Sequence, residues 1–180
     1  EQEAAGRGLP NAKTTPVALA ALVSEKALDL FEKYEVLSRV ELKSRYLIYL
    51  EKYIKDLEIE VKCLNNICLS QVVPAATAYQ KTLVKAIAGI RDIVGMEPAQ
   101  VEILKTSVDL VNKICKTNKE VLAAVEAASG IHDEAKKAEA LCAKAKTKMD
   151  ELREYVDTLE GLVDDELWPM PKFWEMLFVS

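Results

Sequence analysis

The stretch SRVELKSRYLIYLEKYIKDLEIEVKCL, residues 38–64, decides the fold. It opens on Ser38-Arg39-Val40-Glu41, the spacing of a capping box. There the serine hydroxyl accepts from the backbone N–H of Glu41 while the glutamate carboxylate accepts from the N–H of Ser38. Apolar residues then recur at Leu42, Tyr46, Leu50, Tyr53, Leu57, Val61, Leu64, Cys68, Val72, Ala75, Tyr79, Leu83, Ala86, Ile90 and Val94. The steps average about 3.7 residues, the period of a straight or slightly right-handed helical stripe. A long helix over 39–94 is predicted.

Pro74 falls inside that run, where it removes one backbone hydrogen bond and crowds the carbonyl of Ser70. The expectation is a kink near Ser70–Pro74, not a stop. Gly95 ends the helix and Pro98 opens the next, whose seam reads Val101, Leu104, Val108, Val111, Cys115, Asn118, Leu122 and Val125 before Gly130. Asn118, polar on this seam, is a candidate for fixing helix register through a buried hydrogen bond, or marks a place where the seam opens. His132-Asp133 starts the last long helix, with Ala138, Cys142, Ala145, Met149, Leu152, Val156, Leu159 and Val163 facing inward.

Upstream of the capping box the pattern is weaker. Residues 1–14 read as a frayed end and a turn. Thr15-Pro16 offers an N-cap and a first-turn proline for a short helix to Val23, and Ser24 caps a second to Tyr34. At 1.5 Å per residue the long helix would run roughly 80 Å and the two that follow roughly 45 to 50 Å. The later pair would then cover about half of the first. The expected architecture is all-α: an elongated three-helix bundle built of a long kinked first helix and an antiparallel helical hairpin, with short N-terminal helices and an extended aromatic C-terminal tail. The uncovered part, Leu42–Leu57, still carries Tyr46, Leu47, Ile48, Tyr49, Leu50, Tyr53 and Ile54. Its cover is expected from the short helices at 16–34 or from a surface outside this chain. The division is residues 1–37 as linker and short helices, 38–163 as the long-helix bundle, and 164–180 as a docking tail.

Composition supports the class. Half of the 180 residues are apolar, 29% are charged, and only six Gly and six Pro interrupt them. A net charge of -5, with 24 basic and 29 acidic residues interspersed, supplies no broad positive surface for nucleic acid. The longest nearly apolar run, Pro16–Val23, is too short to span a bilayer. Cysteines 63, 68, 115 and 142 lack paired metal or redox spacing and read as reduced, small apolar residues of a cytoplasmic protein. Glu1-Gln2-Glu3 has neither an initiator methionine nor a targeting pattern, so a piece excised from a longer, soluble chain is expected.

Catalytic chemistry finds little to work with. The single histidine, His132, sits at a helix start and reads as a capping or solvent residue. Cys63 and Cys68 point to diverging sides of a helix. Asp164-Asp165-Glu166 could hold a divalent cation in principle, but consecutive acids at a helix exit read as a solvated end. The series Lys136, Lys137, Lys144, Lys146 and Lys148 shares its helix with Glu134, Glu139, Asp150 and Glu151, and reads as a solvated face. There is no glycine-rich phosphate loop or nucleophile elbow. No catalytic, cofactor-binding or metal-ligating residue is assigned.

The end of the chain is different. VDDELWPMPKFWEMLF, residues 163–178, holds both tryptophans and two of the three phenylalanines. Trp168-Pro169-Met170-Pro171 is biased toward extended backbone, and such an apolar tail must dock somewhere. The candidate docking and assembly residues are therefore Tyr46, Tyr49, Tyr53 and Ile54 on the long helix, with Trp168, Pro169, Pro171, Phe173, Trp174, Leu177 and Phe178 in the tail. Docking back onto the chain's own fold and docking on another subunit are both open.

DDELWPMPKFWEMLF (164–178) resembles the C-terminal signature of type III glutamine synthetases, and so do GLPNAKTT (8–15) and SEKALDLFEKYEVLSRVELKSRYLIYLEKYIKDLEIE (24–60). Phe173 stands where that family commonly has tyrosine. The resemblance implies the C-terminal helical region of a glutamate–ammonia ligase, which joins ammonia to glutamate through a γ-glutamyl phosphate. It also implies that ATP and divalent metal belong to an upstream catalytic domain, and that the partners are that domain and neighbouring subunits of a homo-oligomer. The implied role of these residues is structural, in assembly. An alternative from another class is a stand-alone helical adaptor that binds a partner helix along the exposed stripe.

Overall fold

The computed structural model describes residues 2–95 and 98–177, with the side chains of Val94, Pro98, Phe173 and Trp174 left out. Every regular element among them is helical. In order these are α1 (Gln2–Gly6), α2 (Thr15–Ala20), a 3₁₀ turn (Ala21–Val23), α3 (Glu25–Lys33), α4 (Arg39–Ile67), a π turn (Cys68–Val72) and α5 (Val73–Val94). Then come α6 (Pro98–Ser129), α7 (Glu134–Ala140), a second π turn (Leu141–Lys146), α8 (Thr147–Glu160) and α9 (Phe173–Met176). The chain divides into two compact units, residues 1–59 with 123–146, and residues 60–122 with 147–180.

The capping box forms as the spacing requires. The Ser38 N–H donates to Glu41 Oε2 at 2.8 Å, and the Glu41 N–H donates to Ser38 Oγ at 3.3 Å. Downstream the helix runs through Pro74 without a stop. The disturbance takes the form of a π turn, in which the Val73 N–H reaches the carbonyl of Cys68, five residues back. The ladder is thus already shifted where the proline withholds its N–H. Gly95 ends α5 at a φ of 93°, a region closed to most side chains.

Three details upstream differ from the sequence reading. Residues 2–6 are helical, Thr14 and not Thr15 is the N-cap of α2, and the Thr14 side chain makes no capping bond. Ser24 does cap α3, accepting from the Ala27 N–H at 3.3 Å.

In the first unit the buried face of α4 comprises Leu42, Leu50, Ile54 and Leu57, in a core with Leu28, Ala128, Ala138, Leu141 and Ala145. The expectation that the helices after Gly95 stop short of Leu42–Leu57 is therefore corrected. Lys137 of α7 pairs with Glu58 at 3.1 Å, and α7 also packs on α2. Small residues on α7 and the π turn after it allow that close approach. On the other side Arg39 ties α4 to α3 through Glu25 and Asp29.

In the second unit Cys68, Val72, Ala75 and Ala76 meet Leu110 and Ile114 of α6, Leu152 and Leu159 of α8, and Val163. The buried face of α6 is shifted from the expected seam, of which Asn118 is buried and Val101, Leu104, Val111, Cys115 and Val125 are half-buried. It runs Ser107, Leu110, Ile114, Thr117, Asn118 and Val121, whereas Val108 and Leu122 are exposed. Ser107 and Thr117 carry hydroxyls and so read as surface, yet Ser107 accepts from Gln80 Nε2 at 3.1 Å and is satisfied inside. Asn118 donates to Asn65 Oδ1 at 2.8 Å, the inter-helix bond that a register-fixing asparagine makes. Lys148 bridges Glu120 at 2.8 Å and Glu151 at 2.7 Å, and those hydrogen bonds hold its pKa above the usual lysine value.

Candidate functional site

Asp164 begins the tail with a tight turn. Its Oδ1 accepts from the Glu166 N–H at 2.9 Å, and its carbonyl accepts from Leu167 and Trp168. The turn aims Trp168 into the core of the second unit, where it is only 6% exposed. Its indole N–H finds no acceptor there, so its docking rests on apolar burial.

Lys172 locks the arrangement. Its ammonium, buried with the rest of the side chain, donates to the Val163 carbonyl at 2.9 Å and pairs with Asp165 at 2.5 Å. Its N–H donates to Glu175 Oε2 at 2.8 Å, and its carbonyl accepts from the Glu175 N–H. These bonds start α9, so the tail is helical over Phe173–Met176 and is not extended throughout. The carboxylates of Asp164 and Asp165 are thus used in shaping the tail. Among the described residues no group of three or more His, Cys, Asp or Glu is gathered as a metal site would require.

Between tail and helices lies a mostly apolar pocket of about 230 Å³, lined by Leu64, Ile67, Cys68, Val72, Val156, Met170, Pro171 and Met176, with Arg153, Asp157 and Glu160 at its edge. Burial first, and then the charge of Cys115, pushes the Cys68 thiol up to about 11. A thiol so protonated is a poor nucleophile at neutral pH.

The candidate docking residues separate into three groups. Ile54 and Trp168 are buried within their own units. Tyr46 and Tyr53 are half-buried; burial, then Glu139 and Asp133, raises the Tyr46 hydroxyl pKa. Tyr49, Pro169, Pro171 and Leu177 are exposed. Phe178 and the side chains of Phe173 and Trp174 lie outside the described residues.

The exposed surface at the start of α4, on which the sequence already set Ile48 and Tyr49, extends upstream to Leu37 and Val40. Leu37, Val40, Glu41, Ser44, Arg45, Ile48 and Tyr49 line a shallow groove of about 560 Å³ along the start of α4. Val40 is 77% exposed and Ile48 57% exposed. Leu37 lies before α4 begins, and within the helix Glu41, Ser44 and Arg45 stand among Val40, Ile48 and Tyr49 on this groove.

A family model described as the glutamine synthetase C-terminal domain matches residues 1–91. The chain is 34% identical over 182 residues to the type-3 glutamine synthetase of Dictyostelium discoideum, covering 98% of this chain and 25% of that protein. It is 29% identical over 186 residues to a glutamine synthetase of Bacteroides fragilis, covering 100% of this chain and 26% of the relative. A glutamine synthetase of Butyrivibrio fibrisolvens is likewise 29% identical over 187 residues, with 98% and 26% covered. The chain spans about a quarter of the length of the curated relatives it matches. No helix is long and apolar enough to cross a membrane among the described residues.

Proposed function

Because the chain belongs to the glutamine synthetase C-terminal domain family, we propose that it is the non-catalytic structural and assembly part of a longer, cytoplasmic glutamine synthetase. The parent enzyme ligates ammonia to glutamate through a γ-glutamyl phosphate. Its ATP and divalent metal are held by the upstream catalytic domain, and its partners are that domain and neighbouring subunits of a homo-oligomer. The observation that carries the reading is the alignment, in which essentially all of this chain matches only a quarter of each relative. Helical packing of charged and apolar residues, with the acids of the tail committed to a turn and a lysine lock, is what an assembly element needs.

An antibody raised against residues 163–180 tests the reading on an immunoblot of source cells. The expected band is several times heavier than the 20.0 kDa of this sequence. A band near that mass would overturn the reading in favour of a stand-alone helical adaptor. A second arm supplies this chain alone with ATP, Mg²⁺, glutamate and ammonia, where no glutamine is expected. Turnover there would overturn the non-catalytic assignment.

A further inference from the structure

Asn118 of α6 donates to Asn65 of α4, and farther along the chain Gln80 of α5 donates to Ser107 of α6. The partner on α6 moves back as the residue on α4 and α5 moves forward, so α6 runs antiparallel to them within the second unit. Residues three apart lie on one face of a helix. Three residues on from Asn65 stands Cys68, and three back from Asn118 stands Cys115. The register of the asparagine bond therefore sets these two cysteines opposite each other. The packing agrees, because Cys68 is buried in a cluster with Leu110 and with Ile114, the chain neighbour of Cys115. Cys115 is also near enough for its charge to act on the Cys68 thiol.

The two sulfurs differ in access. Cys68, at the start of the π turn, is 1% exposed, whereas Cys115 is half-buried. A small oxidant can reach Cys115 and not Cys68. We propose that Cys68 and Cys115 are a redox pair that closes to a disulfide, stapling the π turn to α6, when the chain meets a low-molecular-weight disulfide such as glutathione disulfide.

In the first step the Cys115 thiolate attacks one sulfur of the oxidant, forming a mixed disulfide and releasing one glutathione. In the second the Cys68 thiol gives its proton to solvent, attacks the Cys115 sulfur and releases the other glutathione. The cysteines lose two electrons and two protons, and the oxidant takes up both as two thiols. Burial of Cys68 makes the second step the slow one, faster as pH rises. In a reducing compartment such a bond is transient, as in redox-sensing proteins.

The test incubates the full-length polypeptide with glutathione disulfide, quenches it in acid, alkylates it and cuts it with trypsin. Cleavage after lysine leaves Cys63 and Cys68 in peptide 63–81 and Cys115 in peptide 114–116. The expected product joins the two peptides, is lighter than their sum by two hydrogens, and is separated by dithiothreitol. It should persist in Cys63→Ser. In Cys68→Ala it should give way to Cys115 carrying one glutathionyl group, and in Cys115→Ala Cys68 should stay a thiol. Recovery of the two peptides unjoined from the native sequence, or loss of the joined product in Cys63→Ser, would overturn the proposal. Closing so long a loop should also raise the melting temperature by several degrees over the reduced protein, a difference absent from Cys115→Ala. Equal melting of the joined and reduced forms would overturn the staple.

Discussion

Lys172 shows how one residue can determine a tail. A buried lysine is tolerated only where its proton donors are used and its charge is answered, and here Val163 and Asp165 do both. Lys172→Ala would leave the Val163 carbonyl without its donor, at an expected cost of about 1–3 kcal/mol. Urea unfolding measures this, and a change below about 0.5 kcal/mol, the size of an ordinary surface substitution, would contradict it. Cys68 gives a second residue-level expectation. Its folded-state pKa, about 11, lies above the ordinary thiol value of 9.0. Below the lower value both states keep the proton and stability is unaffected. Between the two the unfolded chain releases its proton while the folded chain cannot, so stability falls as pH rises. Denaturant midpoints should decline over that window more steeply in the native sequence than in Cys68→Ala. At pH 8 iodoacetamide should modify exposed Cys63 well before Cys68.

At the scale of the element, the capping box at Ser38 is the clearest sequence signal realised. Ser38→Ala removes the hydroxyl that accepts from the Glu41 N–H and donates to its carboxylate, at an expected cost of about 1 kcal/mol, read as a fall of a few degrees in thermal melting. The Glu41 pKa is lowered by its hydrogen bonds to the Ser38 hydroxyl and N–H. Its contribution is therefore present above the usual carboxylate range and lost as pH falls through the lowered value. The caps at Ser24 and Ser38, the stop at Gly95 and the stripe from Leu42 to Ala75 were legible because each rests on one residue's backbone preference or on a period. The inward face of α6 was not, because Ser107 and Thr117 are polar yet buried, and the Ser107 hydroxyl is satisfied by Gln80 of α5. Neither π turn was legible, since a bond five residues back leaves no residue signature; after Ala140 it is Leu141 that is buried, while Cys142 is half-buried. Lys172 escaped because burial of a lysine depends on a carbonyl and a carboxylate that only the folded turn brings together.

At the scale of the whole molecule, the tail and the start of α4 divide the work that the sequence reading had given to both. Trp168 is spent inside the second unit, where it contacts the cluster around Cys68, Ile114 and Leu159, whereas Val40 and Ile48 remain exposed. The two surfaces should therefore fail differently in a full-length enzyme. Trp168→Ala opens a cavity in a core, and losses of about 3–5 kcal/mol are usual for such a change. If this chain supplies structure and not chemistry, that loss lowers the melting temperature and the yield of assembled enzyme, but turnover per assembled active site is unchanged. The check is to purify the assembled fraction by size, count active sites with a tight-binding inhibitor, and compare kcat and KM with the parent. A lower kcat in fully assembled Trp168→Ala enzyme would show that the helical region acts on the chemical step, through the packing that Trp168 holds together.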